Sequence, residues 1–164
     1  MEKEMNELIF GYETAANEAI KAYNEQMESL KSIKDTAKTI FSSTSLIVAI
    51  ISSLQAIRTS PPTNMTAYAA AGIFVLICFI ALIYLCVRVL LPIKLTTPIK
   101  PTWEVFAKTF MDKSEKEVHS VTTCAYLDAI EKNEPEILSS VKNTKLAGWA
   151  MISVIAGLIV LIVV

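Results

Sequence analysis

GIFVLICFIALIYLCV, residues 72–87, is the stretch whose chemistry settles the architecture. It carries no charge and offers no polar stripe. A helix in a small soluble chain keeps one face for water, so this segment is read as surrounded by lipid. Working outward, it forms the apolar part of a charge-free run of twenty-nine residues, Thr59–Val87. About 20 apolar residues cross ~30 Å of hydrocarbon. Two further charge-free runs of nineteen residues flank it, Thr39–Ile57 and Leu146–Val164. The first is interrupted by Ser42, Ser43, Thr44, Ser45, Ser52, Ser53 and Gln55.

The expected fold is therefore an all-α integral membrane protein with three transmembrane helices and a cytoplasmic helical layer, its N-terminus inside. The expected organisation is a cytoplasmic amphipathic helix over 1–38 continuing into transmembrane helix 1 (39–57), a short outer loop (58–66), and transmembrane helix 2 (67–90). A proline-rich cytoplasmic connection with helices (91–145) then leads to transmembrane helix 3 (146–164). The expected location is the plasma membrane, multi-pass. No cleaved signal peptide is evident, because the chain opens on the polar MEKEMNE.

Orientation follows from the lysines and arginines nearest the spans. Lys31, Lys34 and Lys38 precede the first, Arg88, Lys94, Lys100 and Lys108 follow the second, and Lys142 and Lys145 precede the third. Only Arg58 lies between the first two. Asn64-Met65-Thr66 is a glycosylation sequon on the expected outer side, close to the bilayer.

Residues 3–57 hold no proline and one glycine, Gly11, so one helix is expected to run from the cytoplasm through the first span. Ile9, Ala16, Tyr23, Leu30 and Ala37 recur every seven residues, and Tyr12, Ala19, Gln26, Ile33 and Ile40 form a companion row. This is a coiled-coil seam pattern, open to two uses: packing on the chain's own 103–145 helices, or an oligomer seam through Ile9, Tyr12, Ala16, Ala19, Tyr23, Leu30 and Ile33. The rows continue into the span as Thr44 and Ile51, and as Ile47 and Leu54. Ser42, Ser45, Ala49, Ser52 and Ala56 fall on the opposite side. Small and hydroxyl residues so spaced suit close packing in lipid or the lining of a narrow polar path.

Pro61-Pro62 is expected to make a tight outer turn. Pro92, Pro98 and Pro101 keep the following connection extended, with Lys94 and Lys100 near the headgroups. Residues 103–132 read as a cytoplasmic helix opened by Trp103, Phe106, Ala107 and Phe110 and continued by Val118, Val121, Ala125 and Ala129. A break is expected at Glu134-Pro135-Glu136. Trp149 is placed as an interfacial anchor, and Gly148 and Gly157 as close-packing points.

The chemistry-bearing residues are sparse. The single histidine, His119, and Cys124 stand five apart and point in different directions on a helix, so they make no ready nucleophile pair. Cys78, Cys86 and Cys124 suggest neither a disulfide framework nor a metal site. No acidic or basic residue lies in the apolar runs 39–57, 67–87 and 146–164, which removes the usual mark of a proton relay or voltage sensor. The expectation is no enzyme activity, no cofactor and no nucleic-acid partner. Lipids and further copies of the chain are the expected partners. Two functions stay open: an oligomeric pore-forming or membrane-perturbing protein, and a non-conducting scaffold that recruits a cytoplasmic partner.

SLKSIKDTAKTIFSS, residues 29–43, with Lys34 and Lys38 entering the first span, is followed by a proline-turned hairpin. The last approach reads YLDAIEKNEPEILSSVKNTKLAGWAMI, residues 126–152, with Asn133 and Lys142–Lys145 before the third span. Over about residues 20–164 this arrangement resembles the small multi-span membrane effector modules of prokaryotic nucleotide-signalling defence systems, of the SLATT type or the transmembrane Pycsar-effector type. The resemblance implies assembly in the membrane and damage to it in a defence or stress response. It also implies a trigger from a cytoplasmic sensor protein or a nucleotide signal. No separate nucleotide-binding domain is evident, so such a trigger would act on the helices themselves or arrive with a partner.

Overall fold

The computed structural model describes the backbone of residues 2–57, 62, 64–99, 111 and 113–163, and the side chains of 11–55, 62, 64–99, 111 and 113–163. Among the described residues three long helices make the fold: α1 (Glu2–Ile57), α2 (Met65–Leu90) and α3 (Glu115–Val163). The sequence gives each its ends. The near-absence of proline and glycine lets α1 run for 56 residues. Asn64, in an extended conformation, caps α2 by accepting the Ala67 N–H at 3.1 Å. At the other end Leu91 still donates to the Val87 carbonyl at 2.9 Å, and Pro92 has no N–H with which to continue.

α3 opens at Ser114 on the glutamate half of a capping box. Glu117 Oε2 accepts both the N–H and the hydroxyl of Ser114, each at 3.0 Å. These bonds hold the exposed Glu117 carboxyl below the usual carboxylate range. The non-helical residues 113–114 also interrupt the helix expected over 103–132. Its first part, with Trp103, Phe106, Ala107 and Phe110, lies outside the described residues.

A second correction concerns Pro135, which does not break the chain but lies inside α3. The ring is exposed, so the Glu131 carbonyl that loses its partner can turn to water. On the other side of the helix two seven-residue rows pass by without interruption. Tyr126, Asn133, Ser140, Ala147, Val154 and Leu161 form one, and Ile130, Ile137, Thr144, Met151 and Leu158 the other. From Asn133 to Leu161 every member of the first row is buried. Burial on both sides of the proline outweighs the one backbone bond it removes.

The chain divides into two compact units. Unit 1 comprises Met1–Leu30 and Ile93–Ile137. Within it α1 and α3 run parallel: Tyr12 faces Lys116, whose Nζ lies 5.0 Å from the ring centre. Tyr23 meets Tyr126 edge-on at 5.4 Å. Gln26 Nε2 donates to the Ile130 carbonyl at 3.1 Å. Ala16, Ala19, Leu30 and Ala129 are buried along this seam.

Unit 2 comprises Lys31–Pro92 and Leu138–Val164. Here too α1 and α3 run parallel, with α2 antiparallel to both. One cluster joins Leu82, Cys86 and Ala147 with Ile40, Leu85, Ala150 and Met151. The other joins Val75, Val154, Leu158 and Leu161 with Ile47, Val48, Ile51 and Phe79. The interior takes small and polar residues, among them Ala37, Thr44, Ser140 and Ala147. Large apolar residues face outward, including Leu46, Ile50, Ile73, Leu76, Ile77, Ile80, Ile152 and Ile159, each more than half exposed. A water-soluble bundle does not expose so continuous an apolar surface. All three helices are long and apolar enough to cross a bilayer, and at most 28% of their most apolar windows is buried. The protein is a multi-pass membrane protein of three long helices.

Candidate functional site

The face of α1 turned away from its own chain comes first. Ile40, Thr44, Ile47, Val48 and Ile51 pack inward, and the Thr44 hydroxyl is satisfied by the Ile40 carbonyl at 2.7 Å. Ser42, Ala49 and Ser52 are exposed, and Ser45 is half-buried. The Ala56 side chain lies outside the described residues. Within one chain this Ser/Ala stripe is therefore not used for packing between α1 and its neighbours. It runs beside Leu46, Ile50 and Leu54, which are strongly exposed. Ser53, also exposed, returns its hydroxyl to the Ala49 carbonyl at 2.8 Å. Such back-bonding lets a serine sit in an apolar setting.

The seven-residue row slips at the end of the span. Leu54, expected to continue it, is 61% exposed. Gln55 turns inward instead and donates to the Leu161 carbonyl at 3.0 Å. A straight helix drifts by about 20° per heptad, so after five or six heptads the inward position moves one residue on.

The α1 seam of unit 1 is occupied by α3. Ala16, Ala19 and Leu30 are buried, while Tyr12, Tyr23 and Ile33 are half-buried. Tyr12 and Tyr23 make the α3 contacts described above. Ile9 lies outside the described side chains. Of the two uses of the seam, packing within the chain is the one seen at Ala16, Ala19, Tyr23 and Gln26.

Two polar residues named in the sequence take packing roles that sequence reasoning did not assign. Asn133 is 1% exposed. Its Oδ1 accepts the Thr96 N–H at 2.7 Å and its Nδ2 donates to the Thr96 carbonyl at 3.1 Å. The side-chain amide thus substitutes for a neighbouring strand and pins the extended connection to α3. The seven-residue spacing of Asn133 from Tyr126 and Ser140, continued at Ala147, was the available signal. Gln26 is the other: its Oε1 is buried with no hydrogen-bond partner among the described residues, a cost that its Nε2 bond only partly offsets.

α2 and α3 approach closely at Gly157. A Cβ there would fall 2.6 Å from Val75 Cγ2 and 3.2 Å from Phe74 Cδ1. Gly148, the other expected close-packing point, has no such neighbour within 4 Å. Beside Gly157 an apolar groove of about 490 Å³ opens between Ala67, Ala70, Ala71, Phe74, Ala156 and Val160.

An aromatic belt marks one edge of unit 2. Ile40, Cys86 and Ala147 share a cluster and so lie at one level. Phe41, Tyr84 and Trp149, one or two residues to the apolar side of that level, are all exposed. Aromatic rings favour the depth where hydrocarbon gives way to headgroups.

His119 Nε2 lies 3.9 Å from Glu115 Oε1 on the same helix, and Cys124 is exposed. No group of three or more His, Cys, Asp or Glu side chains suited to a metal occurs among the described residues. The chain matches no protein-family model, no curated protein and no solved structure.

Proposed function

We propose that the protein is a homo-oligomeric effector that opens a pore in the plasma membrane or otherwise perturbs it, with its N-terminus and unit 1 in the cytoplasm. The observation that carries this reading is the unused Ser/Ala stripe of α1. Ser42, Ala49 and Ser52 point away from their own chain at the depth of the span. Hydroxyls and small side chains gain little from lipid, but they allow close approach between copies or a lining for a polar path. The resemblance to defence effector modules supplies a context of defence or stress. It also supplies a trigger, a cytoplasmic sensor or nucleotide signal acting on unit 1. The reading assigns no catalytic step and no cofactor.

The rival reading is a non-conducting scaffold. The exposed Leu127 on unit 1 favours it, as an apolar point where a cytoplasmic partner could dock.

Ion flux in liposomes separates the two. Because Ala49 and Ser52 face away from the chain's own core, Ala49→Leu and Ser52→Leu should insert normally, and Ser45→Leu nearly so. If α1 lines the path, each should reduce flux of the reconstituted protein at least tenfold. Wild-type flux in all three variants would remove the stripe from the pathway. A wild-type protein with no flux above empty liposomes, co-purifying with a partner through unit 1, would favour the scaffold.

A further inference from the structure

The two units carry opposite charge. Unit 1 holds eight lysines against fifteen carboxylates, a net −7; unit 2 holds seven cations against one carboxylate, a net +6. Six of those seven cations gather at the edge of unit 2 marked by the aromatic belt. They are Lys31, Lys34 and Lys38 on α1, Arg88 on α2, and Lys142 and Lys145 on α3. The clustered side chains Ile40, Cys86 and Ala147 fix the level. Lys38, Arg88 and Lys145 each stand two residues beyond it, about 3 Å of helix rise, and all three are exposed. Asp35, the single acid of unit 2, lies 3.2 Å from Lys38 Nζ and leaves the other cations uncompensated within the unit.

We infer that this collar is a binding surface for anionic phospholipid. The charge is complementary to a phosphodiester headgroup. The belt residues Tyr84 and Trp149, with Ile80 and Ile152 on its apolar side, are exposed and supply an apolar wall for the acyl chains. A soluble phosphate would meet only the cations, whereas a phosphatidylglycerol-like lipid meets both. Each juxtamembrane cation near an anionic surface favours association by about fivefold. The inference needs neither oligomerisation nor conduction.

The test uses the full chain reconstituted in mixed phosphatidylcholine–phosphatidylglycerol bilayers, extracted with its retained lipids and examined by native mass spectrometry. Phosphatidylglycerol should be enriched about fivefold over the host mixture. The enrichment should fall to the host ratio in the Lys38→Gln, Arg88→Gln, Lys142→Gln, Lys145→Gln variant. It should also fade as salt is raised toward ~1 M, where charges are screened beyond ~3 Å. That salt series on the wild-type chain decides the matter should the variant fail to insert. Retention at the host ratio by the wild type, or undiminished enrichment in the variant or at high salt, would overturn the proposal. Loss of enrichment on adding inorganic phosphate at constant ionic strength would reassign the collar to free anions and overturn it equally.

Discussion

Asn133 is an amide buried on a helix that must also carry Pro135 two residues later. A buried amide is stable only when its donor and acceptor are both used. Thr96 supplies both partners through its backbone, so each group satisfies the other. Asn133→Ala removes the amide and leaves the Thr96 N–H and carbonyl without that partner. At about 1–3 kcal/mol for each of the two orphaned groups, the loss should be ~2–6 kcal/mol where solvent cannot enter. Hydrogen exchange at residues 95–97 should speed up by at least tenfold relative to exchange in α2. Asn133→Asp keeps the acceptor for the Thr96 N–H but sets a carboxylate against the Thr96 carbonyl, so it should rank between Ala and wild type. Unchanged exchange in Asn133→Ala would mean that the connection is held by its apolar residues Ile93, Leu95 and Ile99 alone.

At the level of the helices, hydropathy made α2 legible, because a run such as residues 72–87 admits one setting. The long uninterrupted α1 was legible from its lack of proline. α3 was harder for a physical reason. Its buried row includes Asn133, Ser140 and Ala147, and polar or small members do not register as an apolar periodicity. Pro135 then suggested an end where there is none. The drift that exposes Leu54 and buries part of Gln55 is likewise a property of helix geometry over many turns, not of any local residue preference. Of the candidate site, the Ser/Ala stripe could be placed on a face from its spacing alone. Which face the chain itself uses required the packing partners. Gly157 gives the element-scale prediction. Gly157→Ala should force Val75 or the α2–α3 separation to give way and cost about 1–3 kcal/mol, read as a lower unfolding midpoint in detergent. Gly148→Ala meets open space and should leave the midpoint unchanged or raise it. Equal effects of the two would show that α2 and α3 are not in close contact at Gly157.

For the molecule as a whole, the sidedness of the bilayer is the question on which the other readings depend. The cationic edge of unit 2 favours the cytoplasmic leaflet, both through the positive-inside rule and because anionic lipid is concentrated there. The native thiols provide a probe that leaves the sequence untouched. Cys124 is exposed on unit 1, while Cys86 is fully buried and Cys78 half-buried within α2. A membrane-impermeant maleimide should therefore label one thiol per chain, at Cys124. Labelling should occur in inside-out vesicles and be absent in intact cells, and Cys124→Ser should abolish it. Labelling of Cys124 in intact cells would reverse the orientation and put the lysine-rich edge on the outer leaflet. A trigger acting on unit 1 would then have to arrive from outside. Efficient labelling of Cys78 in sealed membranes, from either side, would mean that water reaches the middle of α2. The apolar faces of unit 2 could not then all be turned to lipid.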